Sequence, residues 1–332
     1  MIALPEPRGP VSELLVSRLA SPVHSLPAAP RTGGEEDLHL ALYLCYELHY
    51  RGLPGVDERW EWEPSLLGLR AALEHAFETR LREEVPAPGP VDPADMDLAL
   101  RAIDDADPAP SLSRHLERDG TVEQYLEFVV HRSAYQLKEA DPHSWVLPRL
   151  AGRPKAALVE IQADEYGGGD PRRIHAVLFA RTMEGLGLDS RYGAYVDRLP
   201  AVTLATVNLM SLFGLHRRLR GAIVGHLALF EMTSSVPNRR YADGLRRLGY
   251  GAEVTGFYDE HVVADAVHES VAAVDLAGGL ARDEPAVAAD ILWGATALRD
   301  LEGAFARHLL GFWERGETSL RAPLGVEAPA PA

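Results

Sequence analysis

Residues 258–270 read YDEHVVADAVHES. A helix turns by about 100° per residue, so His261, Asp265 and His268, at i, i+4 and i+7, project from nearly one face. Two imidazoles and a carboxylate so placed form a ready set of metal ligands. Composition alone would generate roughly 0.08 such triplets in a chain of this size, so the spacing suggests a site without deciding it. The plainer reading is a polar helix face tied by ion pairs.

The chain on either side repeats the apolar i, i+3, i+4, i+7 recurrence of amphipathic helices, with few period-two runs of β-branched residues. The expected fold class is therefore all-α. The pattern predicts helices over 37–50, 65–84, 93–104, 121–139, 143–165, 171–186, 200–216, 218–232, 238–248, 251–270 and 285–314. Asp170 followed by Pro171 reads as an N-cap and first-turn proline, and Gly167–Gly169 as the reversal before it. Residues 1–35, rich in Pro, Arg, Ser and Gly, are expected to form a poorly ordered arm, and 317–332 a flexible tail. Between them, 36–316 should form one helical domain with a metal-site core over 120–275.

Other candidate ligands sit near expected helix ends: Glu139 after TVEQYLEFVVHRSAYQLK, then Glu160, Asp164 and Glu165 in VEIQADEY, and His175 in PRRIH. Spacing alone does not choose among Glu160, Asp164 and Glu165. Glu231 differs because it ends the apolar run GAIVGHLALF, and a carboxylate there needs a partner if buried. A metal would supply one. Arg239 and Arg240 follow closely and could hold a substrate carboxylate through paired guanidinium bonds. Histidines with several carboxylates suit iron or manganese better than copper(I) or structural zinc.

Composition narrows the function classes. The formal charge of −16, from 49 acidic and 33 basic side chains in 332 residues, argues against a nucleic-acid partner. The single cysteine, Cys45, cannot close an internal disulfide and suits a reducing cytoplasm. No run is apolar enough to span a bilayer, and the first residues lack a cationic, then apolar, export signal. A soluble, cytoplasmic protein without a membrane partner is expected. The glycine run lacks a following Lys-Ser/Thr and a preceding strand, so no phosphate-binding loop is supported, and no G-x-S-x-G elbow occurs.

The HxxxDxxH pattern at His261, Asp265 and His268, the glutamate and histidine ten positions apart in DEYGGGDPRRIH, and Glu139 together resemble the haem-oxygenase-like diiron oxidases, iron-containing redox enzymes. The resemblance spans about 120–275, with a fainter echo from ELHYRGL near Glu47. It implies a seven-helix bundle with extra N-terminal helices, holding two ferrous ions, no haem, and dioxygen as cosubstrate. By the same resemblance, Glu139, His175 and His268 would serve one iron and His261 and Asp265 the other. Glu165 would bridge them, and Glu231 would complete the set. The implied activity is oxidation of a free amino acid or derivative in specialised metabolism, by N-oxygenation, desaturation with cyclisation, or cleavage. An external electron donor and a homodimer are compatible with it. The alternatives are a fatty-acid oxidative decarboxylase of the same fold and a metal-free helical scaffold.

Overall fold

The computed structural model describes residues 4–86 and 88–325, without the side chains of residues 265–267. Its helices are α1 (Pro10–Leu19), α2 (Glu35–Glu47), α3 (Pro64–Glu84), α4 (Met96–Asp105), α5 (Leu112–Arg118), α6 (Val122–Gln136), α7 (Asp141–Ser144), α8 (Gly152–Glu165), α9 (His175–Gly185), α10 (Ala201–Leu215), α11 (Arg220–Arg247), α12 (Ala252–Ser270), α13 (Gly278–Asp283) and α14 (Ala288–Glu314). The fold is all-α, as the periodicity requires; no strand occurs among the described residues. No helix among them is long and apolar enough to cross a membrane.

The long helix α11 packs against α12, α14 and α5 and forms the centre of the core. Its approach to α14 is set by two glycines. A Cβ on Gly225 would lie 1.8 Å from the Ile291 carbonyl oxygen, and one on Gly294 2.0 Å from that of Ala222. Backbone meets backbone there, and any side chain would force the helices apart.

Several expected boundaries shift for identifiable reasons. The segments 218–232 and 238–248 are one helix: Pro237 lies inside α11, and buried Ala242 and Leu245 continue its apolar face beyond the proline. Tertiary packing outweighs the proline's lost donor. The expected helix 143–165 is broken into α7 and α8, and 121–139 ends at Gln136, leaving Glu139 in a turn. Asp170 does not cap α9, which starts at His175; its carboxylate instead accepts from the Arg172 backbone at 2.9 Å. After Ser270 the chain widens into π-helical turns over Val271–Ala277, which periodicity does not reveal.

The expectation of a poorly ordered arm fails for residues 4–35. Buried Asp37 accepts from the backbone N–H groups of Ser12 (2.7 Å) and Val11 (3.1 Å), satisfying donors at the start of α1 that its own sequence leaves open, and from that of Gly33 (2.8 Å) just before α2. Arg8 donates to the carbonyls of Val196 and Leu199 at 2.6 and 2.7 Å, fastening the arm to the domain. The tail also begins packed: buried Ser319 donates to Glu127 at 2.5 Å and bonds His131 at 3.1 Å. Residues 326–332 lie outside the described part.

Candidate metal centre

Four helices and one turn deliver the candidate ligands. Glu165 closes α8, His175 opens α9, Glu231 lies mid-way along α11, and His261 and His268 lie on α12, about 10 Å apart along its axis at 1.5 Å per residue. Glu139 hangs from the turn after α6, and that turn is fixed from outside. Its neighbour Lys138 is fully buried and ion-paired with Glu47 of α2, whose other oxygen accepts from Tyr192 at 2.5 Å. Arg51 donates to the Leu137 carbonyl at 2.7 Å and Gln162 to that of Ala140 at 2.9 Å. Ala140 has φ of 72°, a conformation costly for a side-chain-bearing residue, and the surrounding bonds hold it there.

These residues gather into two buried groups. Glu139, Glu165, His175 and His261 form one, with ligand atoms all within 4.8 Å of one another; Glu165, Glu231 and His268 form the second under the same limit. Glu165 belongs to both. The pairing differs from the one the family resemblance implied: His261, not His268, joins Glu139 and His175, while His268 joins Glu231. The α12 axis dictates this, since Glu139 meets the helix at its His261 turn. Asp265, between them, has a side chain outside the described residues.

Imidazole orientation is set by contacts behind each ring. His261 Nδ1 donates to the Phe257 carbonyl at 2.8 Å, which turns Nε2 toward Glu139 Oε1 at 3.4 Å. His268 Nε2 donates to Asp164 Oδ2 at 3.1 Å, and its Nδ1 faces Glu231 Oε2 at 3.3 Å. His175 Nδ1 lies 2.9 Å from Glu165 Oε2, and its ring centroid is 4.4 Å from that of His261. A fixed N–H on the far side of a ring is how proteins select the ligating tautomer.

The electrostatics call for a cation. Glu139, Glu165 and Glu231 are all buried. Burial pushes the pKa of Glu139 up against the pull of His261, and that of Glu231 up against the pull of His268. Burial acts against charge on His268, but Glu231 and then Asp164 more than offset it, raising its pKa to about 9. Glu139 Oε2 is buried with no hydrogen-bond partner among the described residues. Grouped carboxylates without water are costly unless something positive joins them. Three carboxylates and three imidazoles without a thiolate suit iron or manganese. Between Glu139, Glu165, Glu231 and His261 lies a gap of about 10 Å³, room for one water-sized particle.

A larger cavity of about 350 Å³ reaches Glu139 and His261 from the side of α6, α11 and α14. Phe128, Phe179, Phe230, Tyr258 and Phe305 form much of its wall; Asp104, Asp107, Ser111, Ser113 and Arg240 bring polar groups from α4, α5, the segment joining them, and α11. Of the two arginines read as substrate ligands, only Arg240 lines this cavity, bonded to Ser113 at 3.3 Å, whereas Arg239 is exposed and outside it.

Residues 126–303, more than half the chain, match the family of iron-containing redox enzymes with the haem-oxygenase-like fold. The chain belongs to that family. In this iron-containing redox enzyme the matched residues run from α6 into α14, so α1–α5 precede them. It is also similar to a nitrosourea synthase of Streptomyces achromogenes subsp. streptozoticus, 28% identical over 234 residues, which are 67% of this chain and 49% of the relative. The chain thus spans about half the length of the curated relative it matches.

The sequence offered Asp164 only as one of three open candidates, and it missed a second group altogether. Asp164 sits beside Glu165, and only the final turn of α8 separates their roles: Glu165 points inward, Asp164 reaches His268 from the rim, and Glu160 is exposed. The other is an Arg132–Glu302 pair in the cavity wall, joined by bonds of 2.8 and 2.6 Å between residues 170 positions apart. No local signal announces such a pair.

Proposed function

We propose that this redox enzyme is a non-haem diiron oxidase that uses dioxygen to oxidise a free amino acid or an amino-acid-derived small molecule. The observation that carries the reading is the pair of buried ligand groups sharing Glu165. Glu139, His175 and His261 would hold one iron and Glu231 and His268 the other, with Glu165 between them and Asp265 available from α12. Ferrous iron bound there would supply redox equivalents and open coordination positions for activating dioxygen.

The chain's own residues do the rest. Phe257 holds the Nδ1 proton of His261 and Asp164 the Nε2 proton of His268, so His261 Nε2 and His268 Nδ1 are the nitrogens that would bind the metal, His268 giving up its second proton, held by Glu231, when a cation binds. Phe128, Phe179 and Phe230 exclude water from the inner end of the cavity, where Glu139 and His261 meet a bound substrate. The nitrosourea named for the relative is a nitrogen-oxidised urea, so kinship favours N-oxygenation over desaturation or cleavage. Electrons that the substrate does not provide would come from an external donor. The charged and polar groups of the cavity argue against a fatty acid, and three clustered buried carboxylates argue against a metal-free scaffold.

The test is oxygen uptake by the anaerobically iron-loaded protein with a panel of amino acids and fatty acids, products being identified by mass spectrometry. An amino acid should accelerate uptake and emerge oxidised at nitrogen or carbon. Acceleration by fatty acids alone would refute the substrate class.

A further inference from the structure

The cavity holds a charged pair in a mostly aromatic wall. Arg132 of α6 donates from both terminal nitrogens to both oxygens of Glu302 on α14, at 2.8 and 2.6 Å. Its guanidinium lies 4.4 Å from the centroid of the Phe305 ring. Yet the two side chains retain 19% and 27% of their exposure, and both line the cavity. The pair is therefore not sealed in the core, but presents a positive and a negative edge, side by side, to whatever enters.

We propose that Arg132 and Glu302 read the head group of a zwitterionic α-amino acid, with carboxylate on the free edge of Arg132 and ammonium on the free lone pairs of Glu302. This rests on the oxidase reading above and names the residues that determine its substrate. The bidentate pair occupies one N–H of each terminal nitrogen and Tyr241 engages the guanidinium as well, leaving its remaining donors for a substrate. An ammonium and a carboxylate on one carbon have the reversed polarity of the pair, so both charges can be met by neighbouring groups. A lone carboxylate would face Glu302, and a lone amine would face Arg132; like charges at such sites are a device for rejecting partners.

Orientation follows from α6. Arg132 lies four residues, about 6 Å along the axis, before the end of α6 at Gln136; Glu139 hangs from the turn beyond it, and both line the cavity. Gln136 lies between them and also lines the cavity; its side-chain carbonyl oxygen has no hydrogen-bond partner among the described residues. A head group at Arg132 and Glu302 thus sends a long side chain past Gln136, whose carbonyl can accept from a distal nitrogen, toward Glu139 and His261. The oxidised atom is at the far end of the substrate, not at its α-carbon, and a short amino acid does not reach.

Equilibrium dialysis on metal-free and on anaerobically iron-loaded protein tests this with L-lysine and L-arginine, their amines cadaverine and agmatine, and ε-aminocaproate. At least one amino acid should bind about ten-fold or more tighter than its amine, and lysine likewise tighter than ε-aminocaproate if lysine is the better ligand. Glu302→Gln should abolish the preference for an α-ammonium, and Arg132→Lys should keep part of the preference for a carboxylate. Equal binding of amino acid and amine by the unaltered protein, or undiminished discrimination in Glu302→Gln, overturns the proposal. Iron content of the same samples separates the two claims: absent iron defeats the oxidase reading alone, whereas normal iron without head-group discrimination defeats this one alone.

Discussion

At the residue scale, the centre depends on groups that need not touch a metal. Asp164 is 61% exposed in its side chain and contributes little packing, yet it holds the Nε2 proton of His268. Asp164→Ala should lower metal affinity about 10- to 100-fold, as loss of an orienting partner does elsewhere, while leaving the melting temperature of the metal-free protein nearly unchanged. Competition with a chromophoric chelator measures the first quantity. His261 and His268 of α12 were legible because a helix converts spacing into direction. The choice between Asp164 and Glu165 was not, because adjacent carboxylates at a helix end point where the final turn sends them. Nor could the sequence place His261 beside Glu139, since the turn bearing Glu139 is positioned by Lys138 and Glu47, residues 91 positions apart.

At the scale of elements, α11 sets the frame. It carries Glu231 inward and lines the cavity with Phe230 and Arg240, and its crossing with α14 is closed by Gly225 and Gly294. Gly225→Ala places a methyl group on the Ile291 carbonyl, so it should destabilise the protein by about 1–3 kcal/mol or more. A urea titration should register this as a lower midpoint, and Gly68→Ala, where a Cβ meets nothing within 4 Å, serves as the control. Helix periodicity located most of these elements, but it divided α11 at Pro237 because the local penalty is visible in sequence and the compensating burial of Ala242 and Leu245 is not. The arm was misjudged similarly: Asp37, which caps α1, lies well beyond it in sequence.

Across the whole molecule, buried histidines link distant segments. His131 of α6 bonds Thr203 of α10 at 2.7 Å and Ser319 of the C-terminal segment at 3.1 Å. Burial, reinforced by neighbouring His308 and the positive charge of Arg132, depresses its pKa well below the ordinary value. Below about pH 6.5 the unfolded chain takes up a proton at this position that the native state refuses, so stability falls by up to about 1.4 kcal/mol per pH unit. His131→Gln should remove that increment: the stability gap between the original protein and the variant should narrow as pH falls from 7 to 5, measured by denaturant titration at each pH. The all-α architecture itself was legible throughout, because burial of one stripe per helix leaves its period in the sequence. The cavity was not, being made of single residues from helices far apart in the chain.

Two irons sharing Glu165 is the claim on which the functional reading stands. Anaerobic titration with ferrous iron, counted by metal analysis and resolved by Mössbauer spectroscopy, tests it most directly. The original protein should bind about two irons per chain in distinguishable sites, with His261→Ala and His268→Ala each losing iron from a different one. One iron or none in the original protein, or undiminished binding in both variants, would contradict the account.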